Sequence, residues 1–289
     1  MLKGLRRSII GTLAVGIACV GFTTAFAADI VRITGIPDEN PTELQRKYKP
    51  MVDYLSMSLN AEVEYVPVTD YGAAVAALAA GKVDFAWLGG FTHVQARIMA
   101  GASPVVMRDI DRQFKSVIIA NTNSGVGSTD DIKGMKFAFG SKSSTSGHLM
   151  PRYFLDTLYG IDVEKDLGGS PVYSGSHDAT VKVVESGKVD VGALNAEVWN
   201  RMSESGAYDK SKVVLIETTP DYVDYVWTAR DDIEPEMVDK FRQAFLSLDN
   251  SNTDHQKVLK LQGAEKFVLA APEDFDSIEA VGRSTGLLK

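Results

Sequence analysis

Val75-Ala76-Ala77-Leu78-Ala79-Ala80-Gly81-Lys82-Val83-Asp84 and Val181-Lys182-Val183-Val184-Glu185-Ser186-Gly187-Lys188-Val189-Asp190 share one signature: an amphipathic stretch, then Gly-Lys-Val-Asp, then an apolar run. Glycine ends a helix by taking up a left-handed conformation at no steric cost, so Gly-Lys-Val-Asp is a serviceable helix stop before a strand. That local chemistry explains one occurrence. Its return at corresponding places in the two halves of the chain points to two lobes of similar build.

Around these anchors, short β-branched runs alternate with helical periodicity. Strands are expected at Ile30–Gly35, Ala61–Pro67, Val83–Leu88, Ser103–Arg108 and Ser116–Ala120. The second half adds strands at Lys136–Gly140, Ser170–Tyr173, Val189–Leu194, Val213–Glu217 and Asp224–Thr228. Helices are expected at Thr42–Leu59, Tyr71–Ala80, Phe91–Ala100, Gly147–Leu158 and Ala179–Glu185, with a mostly helical tail from Pro235 to Leu288. Strand–helix alternation predicts an α/β protein with mostly parallel sheets covered on both faces. Lobe 1 is expected to hold residues 28–117 and 226–289, and lobe 2 residues 118–225. Crossing strands near residues 115–121 and 222–228 would serve as hinges.

Residues 1–27 read as a secretory signal. Lys3, Arg6 and Arg7 precede the apolar run Ile9 to Phe22, and Ala25-Phe26-Ala27 offers a small-x-small cleavage site. Cys19, the only cysteine, lies inside that run; acylation there is the alternative, disfavoured because Gly16-Ile17-Ala18 does not open on a branched apolar residue. A mature chain from Ala28 would have no disulfide, thiolate metal site or cysteine nucleophile. It would carry 27 Lys and Arg against 38 Asp and Glu, a formal charge of −11. Such a surface excludes nucleic acid as a partner. A small anion is not excluded, because salt screens surface charge over about 8 Å and a buried site answers to its own dipoles.

The chemistry-bearing stretch is Gly140-Ser141-Lys142-Ser143-Ser144-Thr145-Ser146-Gly147-His148, between an expected strand and an apolar helix. The first amides of a helix lack internal acceptors, and the macrodipole places about +0.5 charge there. Ser144, Thr145 and Ser146 add hydroxyl donors, and Gly147 permits close approach, so a tetrahedral oxyanion fits without Lys or Arg. A single capping residue would satisfy the helix alone. His177, after Ser174-Gly175-Ser176, marks a second strand-to-helix junction and could donate a ring N–H whose charge follows pH. Tyr71, Trp87, Asn195, Asp224 and Tyr225 complete the candidate ligand-binding residues. No nucleophile elbow, phosphate loop or dinucleotide fingerprint occurs. His93, His148, His177 and His255 make no His-x-x-x-His pair. Pairing of Ser144 with His148 or His177 as a nucleophile and its base rests on spacing alone. No catalytic residue, cofactor or metal is therefore expected.

Five motifs in order, Ile36-Pro37-Asp38-Glu39-Asn40-Pro41, Val68-Thr69-Asp70-Tyr71, Ala86-Trp87-Leu88-Gly89-Gly90, Ser143-Ser144-Thr145-Ser146-Gly147 and Gly175-Ser176-His177-Asp178, resemble the PhnD-like phosphate/phosphite/phosphonate-binding proteins of ABC importers. The likeness spans Asp29 to about Asp249 and implies a type II periplasmic-binding fold with ligand between two lobes. It implies that Ser144, Thr145, Ser146, Tyr71 and His177 hold the oxyanion, that the protein works in the periplasm, and that its partner is a membrane permease. Glu197 and Asp224 lie near positions where aminoalkylphosphonate binders hold an ammonium, whereas Phe114 stands where such binders carry Tyr. Trp87-Leu88 and Asp38-Glu39-Asn40-Pro41 look closer to phosphite-type members, and relatives labelled selenate binders share these motifs. Rival classes are a sensory input domain, a phosphoester hydrolase, and a binder of another ligand such as taurine or a nucleobase.

Overall fold

The computed structural model describes residues 30–288, so the expected signal and Cys19 lie outside the described residues. In chain order the elements are β1 (Ile30–Gly35), α1 (Pro41–Leu59), β2 (Glu62–Tyr65), α2 (Tyr71–Ala79), β3 (Phe85–Leu88), α3 (Gly90–Ala100) and β4 (Ser103–Arg108). Then come β5 (Ser116–Asn121), β6 (Phe137–Phe139), α4 (Met150–Tyr159), β7 (Val172–Tyr173), α5 (His177–Glu185), β8 (Val191–Asn195), α6 (Ala196–Ser205) and β9 (Val213–Thr218). The chain ends with β10 (Val226–Ala229), α7 (Pro235–Leu246), α8 (Thr253–Gln262), β11 (Phe267–Leu269) and α9 (Asp276–Ser284).

The strands form two mixed sheets, ordered β11-β4-β10-β3-β1-β2 and β7-β6-β8-β5-β9. Only β10 and β11 in the first sheet, and β5 in the second, run against their companions. β5 and β10 are the strands the chain enters on arriving from the opposite sheet. The passages lie at residues 109–115 and 219–225, slightly upstream of the expected hinge strands, and they are bound to each other. Phe114 N–H donates to Tyr222 O at 2.8 Å, Tyr222 N–H to Phe114 O at 3.0 Å, and Asp224 N–H to Asp111 O at 2.9 Å.

The repeated Gly-Lys-Val-Asp performs the same task in both sheets. Gly81 and Gly187 take φ of +66° and +71°, and Val83 and Val189 are buried. Each aspartate then ties down the backbone of the neighbouring strand: Asp84 Oδ2 accepts from Arg32 N–H at 2.7 Å, and Asp190 Oδ2 from Lys136 N–H at 2.8 Å. Their carbonyls accept from the strands that cross between sheets, Asp84 O from Arg230 N–H at 3.0 Å and Asp190 O from Asn121 N–H at 2.8 Å. The motif is thus a joint between three strands as well as a helix stop.

One core lies around the first sheet, where Phe85 stacks on Phe241 at 3.8 Å and Trp227 packs on Phe241 and Phe245. The second sheet has a core on each face, one with Val181, Val184 and Trp199, the other with Leu155, Ile161 and Val163. Truncating an enclosed ring such as Phe85 to Ala would cost about 3–5 kcal/mol. Two elements lie outside the expected set: α6, which Asn195 caps by accepting from Val198 N–H at 3.0 Å, and β11 inside the tail expected to be mostly helical. The helix expected from Gly147 starts earlier, in a wide π-type turn over Thr145–Leu149 that runs into α4.

Candidate functional site

The Ser-rich loop is bent into a cup by its own backbone. Gly140 N–H donates to Gly147 O at 2.8 Å, Ser144 N–H to Ser141 O at 3.0 Å, and Leu149 N–H to Ser144 O at 3.0 Å. Ser144 is a helix cap as well as a candidate ligand donor, for its Oγ accepts from Gly147 N–H at 2.9 Å. The Thr145 and Ser146 amides are the first of the helix, where geometry supplies no acceptor. Ser144, Thr145 and Ser146 are each only 1% exposed, because the other half of the molecule covers them.

The covering surface is the start of α3. Its cap residue is Gly89, which has no side chain to offer, and the vacant amides are met from outside the helix. Phe91 N–H donates to Thr145 Oγ1 at 3.0 Å and Gly90 N–H to Asp224 Oδ1 at 3.0 Å. A Cβ on Gly89 would stand 3.0 Å from Thr145 Oγ1 and 3.1 Å from Asp224 Oδ1, so this position must be small.

Asp224 Oδ2 is buried and has no hydrogen-bond partner among the described residues. Burial pushes the carboxyl up from its ordinary 3.8 to about 7. The Gly90 amide and the nearby hydroxyls of Thr145 and Ser146 offset only part of that. A carboxylate with one idle oxygen, set among donors, calls for a partner that brings its own proton.

The opposite wall is a network whose protons can be assigned. Asn195 N–H donates to His177 Nδ1 at 3.3 Å, so His177 carries its proton on Nε2. That nitrogen lies 3.3 Å from Tyr225 Oη and 3.5 Å from Tyr71 Oη. Tyr225 donates its own proton to Asp38 Oδ2 at 2.9 Å and accepts from Asn195 Nδ2 at 3.0 Å. Burial lowers the His177 pKa to about 4, so the ring is neutral near pH 7 and the expected pH response there is corrected. Burial also holds the Tyr71 and Tyr225 hydroxyls well above their ordinary range, so they remain donors.

The structure thus brings Tyr71, Ser144, Thr145, Ser146, His177, Asn195, Asp224 and Tyr225 into one buried cluster. Trp87 stands behind it: its ring stacks on Tyr225 at 5.6 Å, and Arg108 lies over both rings. Trp87 and Glu197 line a small chamber with Arg108, Arg201 and Lys47, beyond the Tyr225 wall. Asp38, which is not among the residues expected in the site, belongs to the network around Tyr225. Besides holding Tyr225, Asp38 accepts from His177 N–H through its carbonyl at 2.9 Å. The adjacent Asn40 donates from N and Nδ2 to Asp178 Oδ2 at 3.1 and 3.0 Å, and Glu39 pairs with both Lys47 and Arg201. Among the described residues no His, Asp and Glu cluster is arranged to hold a metal, and no helix is long and apolar enough to cross a membrane.

Two mixed α/β sheets joined by two paired crossings, with a buried polar cluster between them, constitute a type II periplasmic-binding fold. Solved binding proteins share it, including one from a phosphonate transporter of Pseudomonas aeruginosa at TM-score 0.81, 22% identity, and coverage of 90% of this chain and 87% of that one. The family profile described as "ABC transporter, phosphonate, periplasmic substrate-binding protein" matches residues 33–275, and the chain belongs to that family. It is 37% identical to a "Probable ABC transporter phosphite binding protein PhnD1" of Prochlorococcus marinus, over 90% of this chain and 91% of the relative. A structure of Prochlorococcus marinus PhnD1 in complex with methylphosphonate has TM-score 0.85 and 36% identity, covering 89% of this chain and 98% of that one. The "Phosphate-import protein PhnD" of Mycolicibacterium smegmatis is 27% identical over 75% of this chain and 71% of its own length.

Proposed function

We propose that the protein captures phosphite or a small phosphonate by closure of two lobes and delivers it to the membrane permease of an ABC importer. Each lobe is one sheet with its helices, residues 30–108 with 226–288 and residues 116–218; the expected boundary at 117/118, which would cut β5, moves to its start, and the paired passages at 109–115 and 219–225 act as the hinge. The oxyanion sits on the Thr145 and Ser146 amides and the hydroxyls of Ser144, Thr145 and Ser146. Tyr71 Oη donates from the facing lobe and His177 Nε2 from the same lobe as the cup, while Asn195 and Tyr225 hold His177 in the donating tautomer. Asp224 Oδ2 accepts a P–OH proton. Trp87 backs Tyr225 and so shapes the pocket indirectly. The relative whose structure holds methylphosphonate supports this ligand class.

The observation that carries the reading is the idle Asp224 Oδ2 among convergent donors drawn from both halves. A selenate or sulfate dianion brings no proton for that oxygen; a singly protonated phosphonate or phosphite does. Binding without turnover is favoured over hydrolysis because neither nearby histidine has a ring nitrogen hydrogen-bonded to Ser144 Oγ. His177 is engaged by Asn195, Tyr225 and Tyr71, and His148 by Lys142 and Tyr173. Calorimetry on the purified protein with phosphite, methylphosphonate, aminoethylphosphonate, phosphate, sulfate and selenate tests the proposal. Preference for phosphite or methylphosphonate is expected; a preference for selenate, or no response to any oxyanion, overturns it.

A further inference from the structure

His148 takes no part in the donor cluster, yet it is buried directly beneath the cup. Its ring lies between Phe139, 4.9 Å away, and Tyr173, 5.0 Å away and nearly perpendicular. Nδ1 is 2.8 Å from Lys142 O, and Nε2 is 3.3 Å from Tyr173 Oη. A carbonyl can only accept, so Nδ1 bears the proton and Nε2 accepts from the tyrosine. This tautomer is opposite to that of His177. Burial lowers the His148 pKa to about 4, which keeps the ring neutral and the assignment fixed at periplasmic pH.

The bond to Lys142 O has a particular geometric consequence. Residues 142–148 span the crest of the cup, with the three hydroxyls between the bonded ends. The backbone closes the base through Gly140 and Gly147, and Ser144 Oγ closes the C-terminal turn. Near the crest, Ser143 N–H has only a 3.4 Å approach to Ser141 Oγ. Ser144 N–H also donates to Ser141 O at 3.0 Å, and the His148 side chain adds the link that fixes the Lys142 carbonyl between those two residues.

We infer that His148 is a positioning residue: its Nδ1–H holds the Lys142 carbonyl, and so sets the direction in which the Ser144 hydroxyl and the Thr145 amide face the ligand. The inference rests on the proposed oxyanion function. Asparagine places an amide N–H where Nδ1 stands, whereas leucine has similar bulk and no donor. In the full secreted protein, His148→Asn is expected to bind methylphosphonate or phosphite within about threefold of the wild type. His148→Leu is expected to bind at least tenfold more weakly, with melting temperatures of the two unliganded variants within a few degrees. His148→Phe, which keeps the ring packing but not the donor, should resemble His148→Leu. Should either apolar variant fail to fold, the other provides the comparison with His148→Asn. Equal affinities for the asparagine and apolar variants overturn the brace, as does tighter binding by His148→Phe than by His148→Asn, which would make ring packing the cause. A wild-type protein that binds neither anion removes the functional reading itself, and the inference with it.

Discussion

Asparagine at position 224 would preserve the side chain's shape while replacing its charge with an amide. Asp224 is buried with one oxygen idle, and its carboxyl is raised from 3.8 to about 7. At about 1.4 kcal/mol per pH unit, charging it in the folded protein costs about 4 kcal/mol more than in the unfolded chain. The sign follows from proton counting. Between about pH 4 and 7 the folded protein holds a proton that the unfolded chain has lost, so stability falls as pH rises. Above about 7 the whole penalty is present; below 3.8 the group contributes nothing. Denaturant unfolding from the state with the halves together should therefore show stability declining across this window, with the decline reduced by about 4 kcal/mol in Asp224→Asn. Ligand binding supplies a second readout. Sulfate has no proton to give, so it needs protonated Asp224, and its affinity should fall up to tenfold per pH unit above about 7. Methylphosphonate can donate P–OH and should fall less. Asp224→Asn offers an N–H instead and should bind sulfate more tightly than the wild type at pH 8. Parallel stability curves for the two proteins, together with pH-independent sulfate binding, would refute the reasoning.

Thr145→Val removes a hydroxyl without changing shape, and it leaves Phe91 N–H unmet on closure; loss of a hydrogen bond to a charged ligand, worth about 1.5–3 kcal/mol, should raise Kd roughly ten- to a hundredfold. Calorimetry paired with thermal melting checks it, and equal loss of stability and affinity would favour simple capping. Gly89→Ala puts a methyl 3.0 Å from Thr145 Oγ1 and should weaken binding while the unliganded protein melts unchanged. Asn40→Asp keeps an α1 cap, since aspartate also accepts from Glu43 N–H, but sets a carboxylate against Asp178. Stopped-flow should show faster ligand release by about tenfold, the order expected from about 1.4 kcal/mol, with little change in capture.

Legibility in the sequence tracked how local each cause was. The Gly-Lys-Val-Asp echo revealed two equivalent units because glycine and the periodicity around it act within a few residues. The Ser144–Ser146 cup was visible for the same reason, since a strand, a hydroxyl-rich turn and an apolar helix adjoin in the chain. β11 was missed because three residues in a helical tail are too short to display a period of two. α6 could have been found from Asn195 followed by Val198, Trp199 and Met202, a cap and a buried face that the strand before it obscured. Asp38 could not be found locally: its partners Tyr225 and His177 are far along the chain, and no pattern around Asp38 encodes them. The same holds for the His177 tautomer, which the Asn195 amide dictates.

The two halves meet by exchanging helix caps. α3 lacks a side-chain cap, and its amides are met by Thr145 from the facing half and by Asp224 from the crossing passage. α5 likewise begins at His177, whose amide is met by Asp38 O across the cleft, while Asp178 holds Asn40 at the start of α1. A vacant amide at a helix start is solvated by water when exposed and costs free energy when covered without an acceptor. The protein's own caps would therefore make approach of the halves nearly neutral, leaving the ligand to decide it. Asp224 N–H is anchored to Asp111 O within the paired passages, so its carboxylate moves little as the halves close. Closing takes that carboxyl out of water, and the cost is relieved by a ligand with a proton to share or by a proton on Asp224 itself. By this argument the group that selects the ligand also sets the energy of closure, and Asp224→Asn should lose both the selectivity and the penalty on closing over an anion without a proton.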